Sequence, residues 1–241
     1  MSKVILILGA SSDVGLNFIK KNHKEYDMII AHYCSSRESL DAIRQEIGEK
    51  IVPVQGDFSD NQSIDDMILK IIQVNDSIQY VLHLSAPCIK NIKFAKIPVE
   101  NYINGFQVQT ISIVKILQRI IPFMTKVQYG KIVFLLTSCT NNNPPKYLND
   151  YVTNKYALLG LMKALASEYA EKKICVNAVS PSMMETRFLE NIPALIIEQN
   201  AKYAPMKRNA LVEDVTPMLQ FLLSDQSDYI TGQNIVVSGG G

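Results

Sequence analysis

Seven short aliphatic runs recur along this chain, each separated from the next by a segment of helical period, and that alternation restricts the architecture more than any other feature. The runs are Val4 to Leu8, Asp27 to His32, Ile51 to Val54, Gln79 to Leu84, Lys131 to Leu136, Ile174 to Val179 and Asn234 to Val237. Their apolar residues are continuous rather than alternating, as in strands covered on both faces. Between them, Leu16 to Lys24, Arg37 to Ile47, Asn61 to Val74, Val99 to Lys126, Tyr151 to Glu171 and Val212 to Leu223 repeat apolar residues at helical spacing. Strict alternation implies right-handed βαβ crossovers, hence an α/β, doubly wound parallel sheet of about seven strands with helices on both faces. Ligands of such sheets bind at the carboxyl ends of the strands.

The 241 residues, 47% hydrophobic, suit one domain spanning 1–241. Formal net charge is +1 with both signs interspersed, so nucleic acid and anionic membrane are not expected as partners. Cys34, Cys88, Cys139 and Cys175 are widely spaced without a CxxC, which indicates neither a disulfide framework nor a metal site. Reduced thiols fit a cytoplasmic location. No apolar run approaches the roughly 18 residues of a spanning helix, and the run at Val4 is too short for a signal peptide.

The first strand ends in Gly9-Ala10-Ser11-Ser12-Asp13-Val14-Gly15 before a helix. Strand, glycine turn and helix aim backbone N–H groups and a helix N-terminus at a phosphate. Gly9 permits a tight turn and Gly15 a close backbone approach. Asp57, followed by Phe58 just past the third strand, is placed to accept from an adenine amine. At the end of the second strand, where a carboxylate would hold a ribose 2′-hydroxyl, stand Tyr33, Ser35 and Arg37. Hydroxyls and a guanidinium suit a 2′-phosphate, so NADP is expected in preference to NAD. Ser85 and Ala86 after the fourth strand, and Pro181 to Thr186 after the sixth, border the same crevice.

Tyr151 and Lys155 stand one turn apart at the head of an apolar helical stripe. A phenol titrates near pH 10. An ammonium about 4 Å away, at an effective dielectric of about 20, contributes roughly 4 kcal/mol, equivalent to about three pKa units. That would bring Tyr151 towards the working range of a general acid or base.

With Gly9 to Gly15, Asp57, Ser138, Tyr151-x-x-x-Lys155, the Pro181 to Thr186 segment and the tail Tyr229 to Gly240 in this order, the chain resembles the short-chain dehydrogenase/reductase family over essentially its whole length. It is most similar to the compact, Rossmann-like 3-oxoacyl-carrier-protein reductases. The resemblance implies that Tyr151 donates a proton to a substrate carbonyl, that Lys155 lowers its pKa and holds the nicotinamide ribose, and that Ser138 stabilises the carbonyl oxygen. Thr137 takes the last part if the strand register differs by one. It also implies cofactor contacts from Gly9, Ser11, Ser12, Asp13, Val14, Gly15, Asp57, Phe58, Ser85, Ala86, Pro181 and Thr186. Small carbonyl or alcohol substrates and a homodimer or homotetramer follow from the same resemblance.

Four positions depart from the pattern. Asp13 replaces the central turn glycine, and either opposes a pyrophosphate or caps the following helix. Leu84-Ser85-Ala86-Pro87 stands where Asn-Asn-Ala-Gly is usual, Gln109 where an asparagine anchors a relay water, and Ser182 where glycine follows proline. The segment 187–209, with Pro193, Pro205 and many aliphatics, is the least regular; the resemblance implies that it is a substrate lid, and the alternative is a helix docking on a subunit neighbour. A catalytically weak nucleotide-binding or scaffold protein remains an alternative, motivated by Asp13, Pro87 and Gln109. A dehydrogenase of a sugar or surface-polysaccharide precursor is another, motivated by Asn141 to Asn143. The helix from Val99 carries apolar residues on more than one face, including Ile103 and Phe106, and surplus of that kind fits a partner subunit.

Overall fold

The computed structural model describes residues 2–241. Seven parallel strands form one sheet in the order β3-β2-β1-β4-β5-β6-β7. They are β1 Val4–Leu8, β2 Met28–Tyr33, β3 Ile51–Gln55, β4 Tyr80–His83, β5 Gly130–Leu135, β6 Ile174–Pro181 and β7 Asn234–Val237. The chain runs outward from β1 to β3, then returns to pair β4 with β1 in register Ile5 to Tyr80 and Leu8 to His83. The strand order therefore reverses between β1 and β4, and the loops leaving their carboxyl ends open a crevice there.

Each β1 side chain is buried, and the strand's two faces feed two separate cores. Val4, Leu6 and Leu8 pack with α3 (Asn61–Val74), α5 (Ser112–Val127) and α6 (Asn149–Tyr169). Ile5 and Ile7 pack with α1 (Asp13–Asn22), α2 (Glu38–Ile47) and α8 (Val212–Leu223). This division is why the strand runs lack polar alternation. Among the described residues, no helix is long and apolar enough to cross a membrane.

The helix expected as one piece from Val99 to Lys126 is interrupted. Helix α4 (Val99–Phe106) passes through a π-helical turn, Gln107–Ile111, before α5 begins. Such a turn accommodates an extra residue without ending the helix. The segment 187–209 is more regular than its composition suggests. It contains a 3₁₀ turn, Arg187–Leu189, and α7, Ala194–Tyr203. No α7 residue is buried, so no apolar stripe announced that helix.

Candidate active site

Two close approaches shape the turn after β1. Gly9 has φ +82°, and a methyl group there would lie 3.1 Å from both the Ser85 backbone nitrogen and its hydroxyl. At Gly15, a methyl group would stand 2.5 Å from the Ala10 carbonyl oxygen. Glycine is therefore required at one position by conformation and at the other by space. Ser12 caps α1, its hydroxyl accepting from the Gly15 N–H at 3.2 Å and donating to the Gly9 carbonyl at 2.7 Å. Val14 belongs to the core. Asp13 does not cap the helix. Its carboxylate accepts from the backbone N–H and Nε of Arg187, both at 2.7 Å.

His32, in β2, joins this turn to the loop after β3. Its Nδ1 accepts the Gly9 N–H at 3.0 Å, which fixes the proton on Nε2, and Nε2 donates to the Gly56 carbonyl at 2.9 Å. The ring stacks on Phe58 with centroids 4.2 Å apart and planes 2° from parallel. Burial holds the imidazole down at about 4, well below its usual value. The Phe58 ring is thus committed to the core and turned away from solvent. Asp57 is exposed. Its Oδ1 accepts from the Ser59 N–H and hydroxyl at 2.8 and 2.7 Å, contacts that lower its pKa. Tyr33 is buried, Ser35 is exposed, and the Arg37 guanidinium pairs with Asp41 at 3.0 Å on the same helix.

On the other side of the crevice, α6 carries Tyr151 and Lys155. The Lys155 ammonium is buried, donates to the Leu135 carbonyl at 2.9 Å and lies 5.8 Å from the Tyr151 ring centroid. Burial lowers its pKa to about 7. The Tyr151 phenol is raised, first by burial and only partly offset by a hydrogen bond from the Thr137 hydroxyl. No lowering by Lys155 accompanies this geometry: the amine donates to the Leu135 carbonyl, and desolvation dominates the phenol. Thr137, two residues past β5, caps the 3₁₀ turn that Ser138 opens, and the Ser138 carbonyl accepts from the Asn141 N–H at 2.9 Å. Pro181 closes β6, and Thr186 precedes the turn at Arg187, with its hydroxyl 3.5 Å from the Met184 carbonyl. Tyr151 and Phe188 rings sit 6.2 Å apart within a small apolar cluster with Ile89, Leu189 and Ile192.

Behind Lys155, Gln109 sits within the π turn and is fully buried. Its backbone carbonyl accepts from Nε2 of His83 at 3.0 Å. Both amide atoms of its side chain, Nδ1 of His83, and the hydroxyls of Thr110 and Ser85 have no partner among the described residues. Burial, then the positive field of Lys155, depress His83 to about 3. His32, His83 and Arg187 escaped the sequence reading. A polar ring inside an otherwise apolar strand, which must satisfy two nitrogens, was the available signal for the histidines.

A family model described as enoyl-(acyl carrier protein) reductase matches residues 9–241. The chain belongs to the short-chain dehydrogenase/reductase family. This oxidoreductase is 29% identical over 241 residues to the 3-oxoacyl-[acyl-carrier-protein] reductase of Thermotoga maritima, covering 99% of this chain and 97% of that one. It is 26% identical over 243 residues to the Staphylococcus epidermidis protein of the same name, covering 100% and 99%. Among solved structures, levodione reductase superposes with a TM-score of 0.90 at 19% identity, covering 99% of this chain and 96% of that one. The 3-ketoacyl-(acyl-carrier-protein) reductase of Brucella melitensis, complexed with NADH, gives 0.90 at 23%, covering 99% and 97%. At such identities these two structures speak to the fold of this short-chain dehydrogenase/reductase.

Proposed function

We propose that this enzyme reduces a ketone to a secondary alcohol, or reverses that reaction, with NADP as cofactor and Tyr151 as the proton donor. The observation that carries the reading is the placement of Tyr151 and Lys155 on one face of α6, with the amine 5.8 Å from the phenol ring and an apolar wall alongside. The residues present fit a dinucleotide. Gly9 and Gly15 leave no room for a side chain, Ser85 has a buried hydroxyl without a partner among the described residues, and the turn leads into the N-terminus of α1. Gly9, Ser11, Ser12 and Gly15 would hold the pyrophosphate, Asp57 the adenine, Tyr33, Ser35 and Arg37 the 2′-phosphate, and Ala86, Pro181 and Thr186 the nicotinamide end. A bound nicotinamide supplies or takes the hydride.

Because burial keeps the Tyr151 phenol protonated at neutral pH, it enters the reaction as a donor. As it loses its proton, the Lys155 ammonium and the Thr137 hydroxyl stabilise the growing negative charge. Ser138 or Thr137 orients the carbonyl oxygen, and the Thr137 contact to Tyr151 favours sharing that task between them. The unpartnered amide of Gln109 and Nδ1 of His83 provide polar sites for water behind Lys155, from which its proton would be replaced.

Met183, Phe188, Leu189 and Ile192 give the crevice an apolar side that suits an acyl chain, with segment 187–209 as its lid. The relatives named for 3-oxoacyl-carrier-protein reduction support the same substrate class. A sugar substrate draws less support, since Asn141 of the polar loop is tied to Asn234 at 3.1 Å. Val99, Ile103 and Phe106 are exposed on α4, which supports a homodimer or homotetramer, and four free cysteines support work in the cytoplasm. The test is NADPH oxidation by the purified protein against ketones, keto-sugars and 3-oxoacyl thioesters, with Tyr151→Phe alongside. Turnover should fall by about a hundredfold or more while NADPH still binds. Unchanged turnover in the variant would refute the assignment.

A further inference from the structure

The root of the segment 187–209 is fastened to the glycine turn by contacts that join residues 174 positions apart. Both Asp13 carboxylate oxygens are used, one by the Arg187 backbone N–H and the other by Nε, each at 2.7 Å. Nη2 of Arg187 then donates to the Ser11 carbonyl at 3.0 Å. The guanidinium is thereby held over the turn by both neighbours of Ser12. Nη1 takes no protein acceptor among the described residues, so it is available to a further anion. The far end of the segment is pinned as well, with Asn209 donating to Glu185 and to the Ile197 carbonyl.

The charges around this contact decide what it does. A cavity of about 690 Å³ between the turn and the segment is lined by Asp13, Glu185, Glu190 and Glu198, and Arg187 is the cation among its lining residues. An anion seated on the turn would meet uncompensated carboxylates if Arg187 swung away. We propose that Arg187 is a phosphate-binding cation of the dinucleotide site and that Asp13 is its positioning residue, so that a carboxylate in the turn strengthens dinucleotide binding. This rests on the dinucleotide reading above. The physical logic is that of an oriented ion pair: Asp13 fixes two edges of a planar donor whose remaining hydrogens point outward, lowering the ordering cost when an anion arrives.

Simple charge counting gives the opposite expectation, because deleting Asp13 removes a negative charge from a phosphate site and should tighten binding. The experiment is titration calorimetry of NADPH and of adenosine 2′-monophosphate, which lacks the pyrophosphate, on the full chain. The proteins are the native chain, Asp13→Asn, Arg187→Gln and the double variant. Side chains of Asp13 and Arg187 are 28% and 58% exposed, so these changes spare the core, and melting temperatures report on folding separately. Each single variant should weaken NADPH by about tenfold, and the double variant should be no weaker than Arg187→Gln alone. Adenosine 2′-monophosphate should bind all four alike. Tighter or equal NADPH binding by Asp13→Asn, additive losses, equal loss for both ligands, or a lowered melting temperature with unchanged affinity would each overturn the proposal. If the native chain bound neither NADPH nor NADH, the dinucleotide reading itself would fall, and this proposal with it.

Discussion

Acid should undo the cofactor crevice before it unfolds the sheet edges, and His32 is the reason. The ring is neutral because Nδ1 accepts the Gly9 N–H and Nε2 donates to Gly56. Protonating Nδ1 sets two donors against each other and puts a charge in a buried stack against Phe58. The folded pKa is about 4 and the unfolded one 6.5. The sign follows from a depressed value: the contribution is present above the unfolded pKa and is lost as pH falls through the folded one. Across that interval, at about 1.4 kcal/mol per unit, the loss amounts to about 3 kcal/mol by pH 4. His83 is depressed as well and carboxylates titrate nearby, so the native chain alone cannot isolate the effect. His32→Gln can offer an acceptor to Gly9 and a donor to Gly56 without titrating. Urea unfolding of both proteins at intervals from pH 7 to pH 4 should show their stability difference shifting by about 3 kcal/mol against the native chain. A difference independent of pH would refute the tautomer argument.

Gly15→Ala should cost about 2 to 3 kcal/mol of stability, because its methyl meets backbone at Ala10 that cannot yield as a side chain would, and urea unfolding would measure it. Arg37→Ala should lower NADPH affinity by about tenfold and leave NADH nearly unaffected. Asp41→Asn, by releasing Arg37 from its exposed pair, should raise NADPH affinity about twofold in the same titration. Ile103 is 63% exposed, so Ile103→Lys should leave the fold intact yet shift size-exclusion elution towards the monomer; a native chain that already elutes as a monomer would reject the subunit prediction.

The sheet was legible because each strand is buried on both faces and therefore written as a continuous apolar run. Helices α3 and α8 could be read to the residue: α8 is buried from its first residue to its last, and α3 extends one turn before its buried stripe and one after it, from the polar Asn61 to Val74. The π turn was hidden because apolar residues continue through Val108 and Ile111 at helical spacing, and one extra residue disturbs that pattern little. Helix α7 could be weighed only as an alternative and its ends not placed, for the opposite reason: it has nothing buried to repeat. Within the site, Tyr151 and Lys155 could be placed together because their separation is local. Their protonation could not, because it depends on the Leu135 carbonyl and on Thr137, supplied by a different element. Asp13 shows the same limit more sharply: as a residue in a turn it suggests repulsion or a helix cap, and only folding reveals the arginine that meets it.

The π turn has a consequence for how this protein can change. An added residue rotates α4 relative to α5, so the two halves of that long helix cannot exchange faces by sliding; only deletion or insertion of a whole residue would realign them. The imidazole of His83 reaches the Gln109 carbonyl within that irregular turn, and so acts as a wedge holding the mismatch in place. Helix α4 nonetheless leans on α6, where a methyl group at Gly105 would run into the Asn154 side chain, so a change on that half of the long helix is felt one residue from Lys155.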